Sequence, residues 1–245
     1  MTRYWKTLAG RCIYRSDDAL SVHQNLGYRW LVFNNQTKTL QSLINRHFPH
    51  KPALPYLLPF TYALRAAPEA ACLLGLGGGG VAHYLEPYLH SHPLIAVENN
   101  THVIELASAY FMTNTLKNLT IVAQDAQEFV MQHPGDYQHI LIDLYTAQGF
   151  PRSCRSIDFF AACKHILRPN GILALNLPDF HHNLGVFQSL RSLYQHATVC
   201  IPVASTSNMI ILAAHDHHIL QTLIYSHPQL KQFLWDSALG YMARF

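Results

Sequence analysis

The stretch Ala71 to Gly80, ACLLGLGGGG, is a short apolar run that breaks into glycines, and Glu98 closes the next apolar run, LIAVE. Backbone without side chains lets a ligand approach the main chain, and an acid about 20 positions later can accept hydrogen bonds from ribose hydroxyls. Gly75, Gly77 and Gly79 are therefore candidate contacts beside Glu98, and the pairing points to a nucleoside-containing cofactor. The alternatives are a tight turn for the glycines and an unliganded strand-end carboxylate for Glu98. Two further acids follow apolar runs, Asp125 after LTIVAQ and Asp143 after HILI. A strand-end Asp143 projects at the edge where α/β sheets bind ligands. There it can orient a nucleophile, take its proton or balance a positive charge in apolar surroundings, or merely cap the next loop. Asp125 suits the N-cap of a following helix, and Tyr145 can form an aromatic wall or pack internally.

The elements that must hold these residues alternate in period. CLLGLG, LIAVEN, LTIVAQD, HILIDLY, GILALNLP, ATVCIPV and NMIILAA read as seven strands. Between them lie helices expected over Val81–Leu89, His102–Phe111, Ala126–Gln132, Ile157–Leu167 and Leu184–Tyr194, with a last one over Leu220–Trp235. The fold class is therefore α/β, with a Rossmann-like, mainly parallel sheet whose last two strands form an antiparallel hairpin. Before it, CIYR, LSVHQ, RWLVFNN and TLQSLI are β-like runs separated by SDDA, NLGY and NQTK. Prolines 49, 52, 55, 59 and 68 punctuate the connection, with a helix expected over Tyr56–Arg65. The expected division is residues 1–65 as a small β-hairpin module with its connection and 66–245 as the main domain.

Composition excludes several function classes. The chain has 245 residues, 49% hydrophobic and 13% charged, which suits an ordered globular protein. A net charge of +3 with no Lys/Arg stripe gives no support to a nucleic-acid partner. The 17 histidines include the pairs His181-His182 and His217-His218, which have neither i, i+4 spacing nor Cys companions, so no metal is expected. Cys12, Cys72, Cys154, Cys163 and Cys200 are widely spaced and read as buried free thiols of a reducing compartment. MTRYWKTLAGR lacks a signal-peptide core and no apolar run approaches a bilayer span, so a soluble cytoplasmic protein without a membrane partner is expected.

Taken together, LQS, LLGLGGGG, VEN, QDAQEF, LIDLYTAQGFP, ILRPNGIL and NLP, spread between Tyr14 and Ala214, resemble the spermidine synthase (polyamine aminopropyltransferase) family, in particular its shorter, divergent bacterial members. The seven strands with a closing hairpin likewise resemble the class I fold that binds S-adenosylmethionine. The resemblance implies decarboxylated S-adenosylmethionine or S-adenosylmethionine as donor, held by the glycine loop, by Glu98 on the ribose and by Asp125 and Ala126 at the adenine edge. It implies that Gln41 reaches the donor, that Tyr56 belongs to the acceptor site, and that the protein is a homodimer acting on a small-molecule amine.

The chain also departs from that family. Asp143-Leu144-Tyr145-Thr146-Ala147 stands where active members read Asp-x-x-Asp-Pro, so Thr146 replaces the second acid. Gly78 replaces an Asp of the glycine loop, and Tyr56-Leu57-Leu58 replaces Tyr-Gln-Glu or Tyr-His-Glu. A charge-assisted hydrogen bond contributes roughly 1.5 to 3 kcal/mol, so two lost partners weaken a cationic diamine on the order of a hundredfold or more. Competing readings are a methyltransferase using the same pocket, a nucleoside-binding protein without turnover, and, last, a nicotinamide dehydrogenase.

Overall fold

The computed structural model describes residues 9–17, 20–33, 39–146, 149–236 and 242–244. Most of the MTRYWKTLAGR segment, part of the SDDA turn, all of the NQTK turn, and Ala147-Gln148 lie outside them.

Four antiparallel strands come first: β1 (Arg11–Arg15), β2 (Leu20–Gln24), β3 (Tyr28–Phe33) and β4 (Thr39–Asn45), ordered as a meander. The turn between β2 and β3 is built by Asn25, whose Oδ1 accepts from the N–H groups of Gly27 (3.0 Å) and Tyr28 (2.8 Å). Alternation sends Leu20, Val22, Leu31 and Ile44 to one face, where they pack on Val103, Leu106 and Phe111 of the main domain.

The connection differs from the single helix expected over Tyr56–Arg65. It is two short helices, α1 (Leu57–Phe60) and α2 (Tyr62–Ala66), which meet at Thr61. The Thr61 hydroxyl donates to the Leu57 carbonyl at 2.7 Å, a local bond that competes with a continuing helical ladder.

The main sheet contains the seven expected strands, β5 (Ala71–Leu74), β6 (Leu94–Glu98), β7 (Leu119–Ala123), β8 (Tyr137–Ile142), β9 (Leu167–Leu177), β10 (Thr198–Pro202) and β11 (Met209–Ala214). Between them run α3 (Gly80–Leu89), α4 (Thr101–Phe111), α5 (Ala126–Gln132), α6 (Ile157–His165) and α7 (Leu184–Leu193). Spatially the strands run β10-β11-β9-β8-β5-β6-β7. All pairs from β9 to β7 are parallel, and β11 is antiparallel to both β9 and β10. Chain order reverses at β5, because β6 and β7 lie on one side of it and β8 and β9 on the other. Ligands of open α/β sheets bind at the carboxyl ends beside such a reversal.

Burial explains why β5 is apolar throughout. Ala71 and Leu73 face one layer with α3, Cys72 and Leu74 face the other with α5 and α6, and all four are fully buried. Cys72, Cys154, Cys163 and Cys200 are buried free thiols, whereas Cys12 is exposed.

The last expected helix is shorter than its pattern. α8 (His217–Ser226) starts at Asp216, whose side chain caps the His218 N–H, and ends before Pro228. The residue ahead of a proline is driven into extended backbone, and His227 has φ −85° and ψ 118°. The chain then makes a 3-10 turn (Leu230–Gln232) and two strands, β12 (Leu234–Asp236) and β13 (Met242–Arg244), with β13 parallel to β10. Among the described residues no helix is long and apolar enough to cross a membrane.

The two sheets meet at the glycine loop, where the buried Ser42 of β4 accepts the Gly78 N–H at 2.7 Å. Ser42→Ala leaves that N–H unpaired and is expected to lower unfolding free energy by about 1–3 kcal/mol in chemical denaturation. An unchanged midpoint contradicts this assignment.

Candidate functional site

A cavity of about 420 Å³ opens at the carboxyl ends of β5, β6, β7 and β8, with β3 and β4 closing one side. It falls within the range of about 300–1,000 Å³ usual for small-molecule sites.

The floor begins with Gly75. Its φ is +97°, and a Cβ there would stand 2.4 Å from the Asp143 carbonyl oxygen, so only glycine fits. Gly77, at φ +52°, leaves room for the Ser42 hydroxyl, which a Cβ would meet at 2.7 Å. Gly79 is placed differently from these two. It is buried under Thr113 at the start of α3 and is not part of the cavity wall. At Gly78 a side chain would meet the Ser42 Cβ at 2.8 Å and the Phe111 ring at 3.0 Å, so the position that is often Asp in the family resembled is closed here by β4 and α4.

Glu98 ends β6 and turns into the loop. Its Oε2 accepts from the N–H groups of Leu76 (3.2 Å) and Gly77 (3.3 Å), and its Oε1 accepts from Asn100 N–H (3.1 Å). With Gly78 N–H on Ser42 and Gly79 N–H on the Leu76 carbonyl, the loop's amides are satisfied within the protein. Asp125 fulfils its capping role, since its Oδ1 accepts from Gln127 N–H (2.8 Å) and Glu128 N–H (3.2 Å). Asp125 and Ala126 both lie on the cavity wall, so the cap and a ligand contact are compatible.

Asp143 follows β8 and lies on the same wall. Its Oδ2 accepts from the Tyr56 hydroxyl at 2.7 Å and its Oδ1 from Asn176 Nδ2 at 2.8 Å. Burial raises its pKa above the ordinary carboxylate value, and these two hydrogen bonds pull it part of the way back. Burial, with the adjacent Asp143 charge second, lifts the Tyr56 phenol well above its usual value, so Tyr56 remains a donor. Tyr56 reaches the site through Asp143 and is not itself on the cavity wall.

Tyr145 and Thr146 line the outer rim, with Tyr145 38% exposed. The Thr146 hydroxyl donates to the Gly149 carbonyl at 2.9 Å and so braces its own turn. Gln41 sits on the wall, with its Nε2 buried and without a hydrogen-bond partner.

Two residues that the sequence did not single out, Asn176 and Asn208, also belong to the site's surroundings. Asn176 lies beside Asp143 because Leu175 pairs with Ile142, and Asn208 Nδ2 donates to Asn176 Oδ1 at 2.9 Å. Ser42 and Cys154 were missed as well; both line the cavity, and burial raises the Cys154 thiol to about 11. Ser42 adjoins Gln41 in LQS, and that was the available signal. Among the described residues no group of three or more His, Cys, Asp or Glu could hold a metal.

The family model of the spermine/spermidine synthase domain matches residues 60–222. The chain belongs to the spermine/spermidine synthase family. A polyamine aminopropyltransferase of Chromobacterium violaceum is 27% identical over 148 residues, 60% of this chain and 57% of that protein. The chain thus matches a little over half of that relative's length. Among solved structures, a spermidine synthase in complex with the transition-state analogue AdoDATO superposes with a TM-score of 0.66 at 16% identity, covering 89% of this chain and 80% of that one. Human methyltransferase-like protein 13 in complex with SAH superposes with a TM-score of 0.62 at 18% identity, over 75% and 96%. Both likenesses show the class I fold expected from the closing hairpin.

The raised pKa of Asp143 has a consequence for stability. The folded protein holds this proton more tightly than the unfolded chain, so its contribution is full below the ordinary carboxylate pKa and is lost as pH rises through the folded value. Asp143→Asn is expected to flatten that fall and to melt no lower than the unsubstituted protein at about pH 8. Melting temperatures followed from about pH 4 upward check this, and a variant that melts lower throughout contradicts it.

Proposed function

We propose that the cavity binds an adenosine-bearing sulfonium, decarboxylated S-adenosylmethionine in the leading reading, and that the protein transfers its aminopropyl group to an amine. The observation that carries this is the charge of the wall: Glu98, Asp125 and Asp143 line it, and no Lys, Arg or His does among the described residues. Such a wall favours a cation. The loop amides, which in a dinucleotide site would receive a pyrophosphate, are already engaged, which argues against a nicotinamide cofactor.

The residues fit such a ligand. Glu98 offers the ribose a carboxylate held in place by the loop, Asp125 and Ala126 flank the adenine end, and Gln41 lines the same wall. In the transfer, the acceptor nitrogen bonds to the carbon beside the sulfonium while the electrons of the carbon–sulfur bond leave with the neutral thioether. The nitrogen must be uncharged to attack, and Asp143, ionised and held by two donors, takes its proton. A carboxylate about 4 Å from a positive centre contributes roughly 4 kcal/mol at an effective dielectric of about 20. Alignment and charge placement do the rest. The closed Gly78 position and the braced Thr146 leave fewer acids for an acceptor, which favours an amine with less positive charge than a diamine.

Methyl transfer from S-adenosylmethionine is the second reading, favoured by the likeness to the human methyltransferase-like fold.

Calorimetric titration separates these. Tight methylthioadenosine or decarboxylated donor supports the proposal, S-adenosylhomocysteine alone supports methyl transfer, and NAD alone removes both. Glu98→Ala is expected to weaken nucleoside binding on the order of tenfold or more, while Asp143→Asn leaves that binding largely intact and lowers product formation with a panel of amines. Normal turnover in Asp143→Asn overturns its role as proton acceptor.

A further inference from the structure

Two elements distant in sequence from Asp143 reach it through a chain of side-chain amides. Asn176, 6% exposed at the end of β9, donates to Asp143 Oδ1, and Asn208, in the turn before β11, donates to Asn176 Oδ1. The direction of this chain is fixed chemically. An ionised carboxylate only accepts, so Asn176 must turn its NH₂ toward Asp143 and its oxygen away, and that oxygen requires a donor. Asn208 is the donor, and its backbone is pinned: its carbonyl accepts from Val203 N–H at 3.0 Å and its N–H donates to the Thr206 hydroxyl at 3.1 Å. The Thr206 hydroxyl donates in turn to the Val203 carbonyl.

We infer that Asn208, acting through Asn176, is a positioning residue that fixes the rotamer of the Asp143 carboxylate. It touches neither the cavity nor any reacting atom. Tyr56 holds the second carboxylate oxygen from the opposite side, so the group is clamped between the α1 connection and the closing hairpin. The relay makes the β10–β11 turn part of the reacting end of the site. Its effect on rate rests on the transferase reading; its effect on Asp143 does not.

Two substitutions distinguish a relay from a structural contact. Asn208→Ala removes the donor. Asn208→Asp keeps the shape but reverses the polarity, so that Asn176 loses its partner or turns its amide over; it also adds a carboxylate whose charge alone raises the Asp143 midpoint, so the neutral Asn208→Ala decides the relay. The other titratable groups on the cavity wall are Glu98, Asp125, Tyr145 and Cys154, with Tyr56 beyond it; Asn208→Ala adds none, whereas Asn208→Asp adds its own carboxylate. The experiment follows the Asp143 carboxyl by ¹³C NMR against pH, together with single-turnover transfer and methylthioadenosine affinity. The expected result is a titration midpoint raised by about one unit or more in Asn208→Asp and by less in Asn208→Ala, at unchanged nucleoside affinity. Transfer is expected to fall about 30-fold and about fivefold respectively, with KM for the donor unmoved. The Asn208→Ala midpoint decides, because that variant removes the donor without adding charge. A midpoint at the unsubstituted value in Asn208→Ala overturns the relay whatever the rate does. A shifted midpoint in a protein that transfers to no acceptor upholds the relay and overturns the transferase reading.

Discussion

Where β5 and β8 end side by side, the main chain at Gly75 lies so close to the Asp143 carbonyl that no side chain fits between them. The two strands also share the bond from Asp143 N–H to the Leu74 carbonyl at 2.8 Å. This contact sets the rest of the site. It forces Gly75 into left-handed backbone, starts the loop that Glu98 then fills, and puts the Asp143 carboxylate at the mouth of the sheet beside the point where strand order reverses. β4 completes the arrangement from outside, since Ser42 satisfies the loop while Gln41 faces the cavity.

The charge of the site follows from burial. Asp143 sits where its ionised form is disfavoured, and Tyr56 and Asn176 offset part of that cost without a cation. An opposite charge placed beside it would offset more of that cost. The three wall acids are held differently: Glu98 and Asp125 accept from backbone amides, whereas Asp143 accepts from side chains.

Most of the architecture was legible because each strand of the parallel sheet is a short apolar run and each candidate acid ends one. Glu98, Asp125 and Asp143 come to one cavity for that reason. Gly79 did not follow, because periodicity locates a loop without telling which of its residues point outward. The partnership of Asn176 and Asn208 was not legible, because it depends on β11 inserting between β9 and β10, a matter of strand order that no local pattern encodes. The last helix was overextended because the apolar spacing continues past Pro228, where the backbone cannot. The closed space at Gly78 was also invisible, since Ser42 and Phe111 reach it from remote parts of the chain.

A crystal structure of the protein grown with methylthioadenosine tests the central claim most directly. The account predicts the ribose hydroxyls on Glu98, the adenine beside Asp125 and Ala126, and the thioether sulfur turned toward Asp143. Clear density for the nucleoside elsewhere, or an empty cavity at saturating ligand, would contradict it.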